Sequence, residues 1–135
     1  MEPVVLMLME KEKDTGYLMG EIGSYRIAEG GELVEKIYLT DNGEKKVHLQ
    51  LTTAQDLEDW EYNAVYDYYD VEVYGDLIQS IEEIEETHNP VWEVTFPFRD
   101  TQEGMEEHLQ KIIAVHMREL KSTYEGIQNK REEYL

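Results

Sequence analysis

The residues best able to do chemistry in this chain are four histidines and a crowd of carboxylates, because there is no cysteine. His116 and Glu119 stand three residues apart, and His108 lies two helical turns earlier beside Glu107. On a helix these side chains would share a face, and imidazole with carboxylate suits a transition metal. The di-iron pattern, however, needs Glu-x-x-His on two helices and further glutamates on two others. Only Glu85 has a histidine at that offset, His88, and Pro90 follows at once. His116 therefore reads as a core or interface histidine. A metal-binding or enzymatic role for the His108/His116 helix stands as an alternative.

Other chemistry finds less support. The pairs Asp56/Asp59 and Asp67/Asp70 would each share a helix face, but calcium needs six or more oxygens from a dedicated loop, and no Asp-x-Asp-x-Asp-Gly run exists. Ser24, Ser80 and Ser122 sit in no Gly-x-Ser-x-Gly elbow. The glycines at 20, 23, 30 and 31 lack a phosphate-loop pattern, and neighbouring acids would repel phosphate. We expect no catalytic residue, no cofactor and no metal.

Charge bears on partners. Val47–Phe98 holds 13 Asp and Glu residues and no Lys or Arg, against a whole-chain net charge of −19. The same stretch carries Trp60, Tyr62, Tyr66, Tyr68, Tyr69, Tyr74 and Trp92. A field of one sign repels nucleic acid and anionic membrane and favours basic partners, so an acidic mimic or inhibitor of a nucleic-acid-binding protein is a second alternative. The absence of cysteine fits a reducing compartment. The apolar run Pro3–Met9 has no basic leader, and nothing reaches the length of a membrane span, so a cytoplasmic location is expected.

The elements that must position these groups begin with strands. Val4–Met9 reads as a buried strand, followed by a turn at Lys13–Gly16. Tyr17–Ile22 and Ser24–Ala28 follow, bent or bulged at Gly20 and Gly23. Leu33–Thr40 and Lys46–Thr52 flank Asn42-Gly43, a type I′ hairpin signal, and Val47, Leu49 and Leu51 alternate with His48, Gln50 and Thr52. Thr53 and Asp56 resemble a capping box, and a helix is expected over about 54–69, although Tyr62–Tyr74 also alternates like a strand. A second helical stripe runs from Val73 to Ile84 and stops at His88-Asn89-Pro90. Val91–Phe98 is a strand.

From Thr101 to about Arg131 the spacing predicts one long amphipathic helix of roughly 45 Å. That length exceeds a small domain, so its last turns are expected to overhang it or to meet another chain. The expected contact residues are Tyr66, Tyr69, Met117, Leu120, Tyr124 and Ile127. At least one of Tyr66, Tyr68 and Tyr69 must be exposed, because adjacent helical positions cannot all face inward.

Thr53–Tyr62, Ala64, Tyr66–Asp70 and Asn89–Glu93 resemble a family of small uncharacterised proteins from clostridia-type bacteria. The resemblance implies a bacterial cytoplasmic protein and carries no activity. The expected fold is α+β in a single domain: an antiparallel sheet of four to five strands packed on two or three helices. The expected role is a non-catalytic interaction protein that forms a homo-oligomer through its C-terminal helix.

Overall fold

The computed structural model describes residues 4–12 and 14–135; Pro3 and Lys13, expected in the first apolar run and the first turn, lie outside them. Six strands form one sheet: β1 Val4–Lys11, β2 Leu18–Ile27, β3 Val34–Asp41, β4 Lys45–Leu51, β5 Ser80–Ile84 and β6 Val91–Pro97. Their spatial order is β2-β1-β3-β4-β6-β5. All neighbours run antiparallel except β1 and β3, which are parallel. The α+β class is as expected, with one strand more than the expected four to five and a mixed sheet in place of a purely antiparallel one.

Alternation decides which face is buried. Val47, Leu49 and Leu51 of β4 pair with Phe96, Val94 and Trp92 of β6, and all six are fully buried. Leu8 and Leu39 extend this apolar face across β1 and β3. Over it lies α2 (Gln102–Ile127), opened by Thr101, whose hydroxyl accepts from the Gly104 N–H at 3.0 Å. Met105, Leu109, Ile112, Ile113 and His116 of α2 are fully buried against the sheet. Gly30, at φ +80°, lets the chain pass under α2, since a Cβ there would lie 2.5 Å from Ile113.

Several expected elements change form. The helix expected over 54–69 starts later, as α1 (Asp59–Tyr68), where the Glu61 carboxylate accepts from the Glu58 N–H at 3.0 Å. The Thr53 hydroxyl instead donates to the Gln55 carbonyl. Residues Val71–Leu77 form tight 3-10 turns around Gly75, whose φ of +52° interrupts any second helix. Consequently Ser80–Ile84 pairs with β6 as an edge strand. Ile81 and Ile84 are three apart and read as helical, but the break at Gly75 and the open β6 edge decide the outcome. The β3–β4 connection has three residues between Asp41 and Lys45, with Gly43 at φ +97°, so it is a longer loop than the expected two-residue turn.

The tail helix is covered by its own chain. α2 ends at Ile127 rather than near Arg131, and Leu120, Thr123 and Ile127 are each no more than 4% exposed. α1 and β2 pack against α2, and the closing turn Arg131–Tyr134 packs against α1. Tyr134 donates to the Asp67 carboxylate of α1 at 2.7 Å, tying that turn back. The premise of an overhanging apolar rod therefore does not hold.

Candidate functional surfaces on the open face of the sheet

Among the described residues no helix covers the second face of the sheet, and the alternation that buries Leu49 and Val94 points His48, Gln50, Glu93 and Thr95 to it. Glu93 is the hub. Its carboxylate accepts from the Tyr38 hydroxyl at 3.0 Å, from Gln50 Nε2 at 3.0 Å and from His48 Nδ1 at 3.2 Å. The hydrogen bond from His48 leads in holding the Glu93 carboxyl down to about 2, with Gln50 and Tyr38 adding to it against the opposing effect of burial. Burial, then the nearby Glu93 charge, pushes the Tyr38 phenol well above its ordinary range.

An ionised Glu93 sets the histidine tautomer. His48 Nδ1 must carry the proton that Glu93 accepts, leaving Nε2 as an acceptor 2.9 Å from the Thr40 hydroxyl. Tyr38 stacks on the imidazole with ring centres 4.6 Å apart and planes 5° from parallel. The Lys11 ammonium lies 4.6 Å from the Tyr38 ring centre, a cation–π distance. A cleft of about 430 Å³ opens beside Thr40 and His48, with Lys11 and Asn42 on its wall and carboxylates of Glu10, Glu12, Asp14 and Asp41 around it.

The β1–β2 end of the same face is apolar. Val5 and Met7 alternate away from buried Leu8, and both are more than half exposed. Tyr17, Leu18, Met19 and Ile22 are exposed along the first half of β2. The second half of that edge is occupied: Arg26 N–H donates to Glu106, Ala28 N–H donates to Gln110, and Gln102 donates to the Ser24 carbonyl. Tyr17 is tied by its own backbone to Glu12 and Thr15, so the edge left open is Leu18–Ile22.

The contact residues expected from sequence divide into two places. Met117, Leu120 and Tyr124 meet Leu33 and Ala54 along a groove of about 330 Å³ on α2. Tyr66, Tyr69 and Ile127 turn inward. The Tyr66 hydroxyl accepts from Val91 N–H and donates to the Ile84 carbonyl, pinning the β5–β6 hairpin to α1. Tyr69 is buried and stacked on Trp92, with ring centres 4.2 Å apart. Of Tyr66, Tyr68 and Tyr69, Tyr68 is the exposed one, at 39%.

The two helical histidines serve separate partners. His108 Nε2 donates to the Leu77 carbonyl at 2.7 Å. His116 Nε2 donates to the Thr52 carbonyl at 2.7 Å, which makes Nδ1 the acceptor for the Tyr69 hydroxyl at 2.8 Å. Tyr74 completes this chain by donating to Tyr69. Burial holds His116 down to about 4 and lowers His108 as well. Among the described residues, no three His, Asp or Glu side chains converge as metal ligands.

Sequence reasoning passed over the Thr40–His48–Glu93 cluster. The available signal was the wet parity of His48 and Gln50 on β4; the pairing of β4 with β6, which brings Glu93 to them, lies 45 residues away from His48. No curated protein and no solved structure matches the chain. A family of unknown function, DUF6762, matches residues 1–135, and the chain belongs to that family.

Proposed function

From a family with no assigned activity the role must be argued from surfaces, and we propose that the protein is a self-associating interaction protein, dimerising through its β1–β2 hairpin. One observation carries this reading. Seven of the twelve exposed large apolar side chains among the described residues belong to this hairpin: Val4, Val5, Met7, Tyr17, Leu18, Met19 and Ile22. Val5 and Met7 share the open face of β1, and apolar side chains gathered on one edge hairpin mark an interaction site.

Charge favours a second copy there. Residues 4–28 hold four acidic and three basic residues, a net of −1 in a chain of −19. Two such chains repel each other little at the hairpin. The free Leu18–Ile22 edge offers backbone donors and acceptors, and a two-fold axis would pair it antiparallel with itself. The stripe of α2 is less suited, because the chain already buries most of it, Leu120 and Ile127 included. The β5 edge, by contrast, carries Glu82 and Glu83. We take the setting to be a bacterial cytoplasm, supported by the lack of cysteine; no helix of the described residues is long and apolar enough to cross a membrane.

Light scattering at tens of micromolar tests the reading. The expected mass is twice the 15.9 kDa of one chain, and a single-chain mass would overturn it. Added salt should tighten the dimer by screening like charges. A complex with a basic protein that salt weakens, found with a monomeric chain, would favour the acidic-mimic alternative instead.

A further inference from the structure

Going beyond self-association, we propose that Thr40, His48 and Glu93 form an acyl-transfer site, in which Thr40 Oγ1 takes an acyl group from a small neutral or positively charged ester and passes it to water. The argument is geometric. A nucleophile needs a base within hydrogen-bond reach, and that base needs a third group to orient it. Thr40 Oγ1 is 2.9 Å from His48 Nε2, and His48 Nδ1 is 3.2 Å from Glu93. Because Glu93 fixes the proton on Nδ1, the Thr40 hydroxyl donates to Nε2, the direction in which a proton would leave during attack. Tyr38 and Gln50 hold Glu93 in place and Tyr38 holds the ring from its face, so the orienting group is itself supported.

The cleft gives the substrate class. At about 430 Å³ it suits a small molecule, and both Thr40 and His48 line it. Its carboxylates disfavour an anionic substrate. Lys11 and Asn42, on the same wall, are the donors available to a developing oxyanion.

In the first half-reaction Thr40 Oγ1 bonds to the ester carbonyl carbon while its proton moves to His48 Nε2 and the carbonyl π pair becomes an oxyanion. That pair then returns, the ester C–O bond breaks, and the leaving alkoxide takes the proton from Nε2. Water repeats the sequence on the acyl-threonine, releasing the acid and restoring the hydroxyl. Thr40 and His48 are the catalytic residues and Glu93 is a positioning residue.

The test treats the full chain with a fluorophosphonate probe, maps the modified peptide, and follows p-nitrophenyl acetate turnover against pH. The expected result is one adduct, on Thr40, with turnover falling at least tenfold in Thr40→Ala and persisting in Thr40→Ser. Glu93→Gln should lower kcat with KM unchanged, because the imidazole loses the carboxylate that orients it. A wild-type chain with no adduct on Thr40, or a Thr40→Ala chain that turns over as fast as wild type, overturns the proposal. If Thr40→Ala fails to fold, the wild-type mapping and the Thr40→Ser rate still decide.

Discussion

The open face of the sheet changes character between β1 and β3. Over β3, β4 and β6 the outward side chains satisfy one another: Tyr38, His48 and Gln50 all converge on Glu93. Over β1 and β2 the outward side chains are Val5, Met7 and Leu18, each more than half exposed to water. Both halves share one backbone, one pleat and one covering helix on the far side. Polar groups that pair across strands can remain on a wet surface without cost, whereas an apolar patch on the same surface is stable only when something covers it. The polar half therefore reads as self-sufficient and chemical, and the apolar half as an interface.

Breaking the apolar half should give the largest effect. Met7→Lys with Leu18→Lys places four positive charges in the proposed two-copy interface and removes apolar area from it. We expect the dissociation constant to rise at least about a hundredfold, equivalent to roughly 3 kcal/mol. Both positions are more than half exposed, so folding stability should change by less than about 0.5 kcal/mol. Light scattering with thermal melts separates the two readouts. An unchanged mass would move the interface away from the hairpin.

The polar half answers differently. Glu93→Ala removes the acceptor shared by three half-buried donors, and we expect a loss of about 1–3 kcal/mol in chemical denaturation. Self-association should be untouched. If the substitution instead dissociates the dimer, the two halves of the face are coupled and the division drawn between them fails.

Acid offers a finer contrast, since each face of the sheet has its own titrating group. His116, on the buried face, is held down to about 4 against an ordinary 6.5. The unfolded chain protonates it first, so its contribution is present above pH 6.5 and is lost as the pH falls toward 4. Glu93, on the open face, is held down to about 2 against an ordinary 4.5, so its contribution is lost between pH 4.5 and 2. Full linkage would give roughly 3 kcal/mol for Glu93, which its 17% exposure reduces to about 1–2 kcal/mol. Stability measured against pH should thus fall in two stages. Glu93→Gln should flatten the lower stage and leave the upper one.

Legibility in the sequence followed the range of the interactions. The β4 alternation and the α2 stripe are local periodicities, and both elements formed close to where the spacing placed them, α2 stopping at Ile127, short of the expected Arg131. The segment 80–84 was misread because an edge strand takes its identity from a neighbour, β6, that local spacing does not reveal. The same limit hid the Thr40–His48–Glu93 cluster, whose members come from three strands. Tyr69 was expected at a contact surface, and its burial follows from Trp92 and His116, which reach it from β6 and α2. The hairpin patch was legible as composition, in Tyr17, Leu18 and Met19, but its meaning required knowing that β2 lies at an edge.

The smallest expected effect sharpens the comparison at the opposite edge. β5 ends the sheet as β2 does, yet it presents Ser80, Glu82 and Glu83 where β2 presents Tyr17, Leu18 and Met19. Charged side chains along a free edge oppose pairing with another chain. Glu82 lies across from Glu93 in the β5–β6 register, so Glu82→Lys exchanges a repelling charge for an attracting one beside the Glu93 cluster. We expect a gain of about 0.2–1 kcal/mol in folding stability from that cross-strand pair. The dimer mass should not change, since removing one charge leaves the β5 edge short of the apolar area that an interface needs. Higher oligomers in Glu82→Lys, seen as a mass above two chains, would show that charge alone keeps β5 from pairing and that edge chemistry, more than apolar area, decides which end of this sheet assembles.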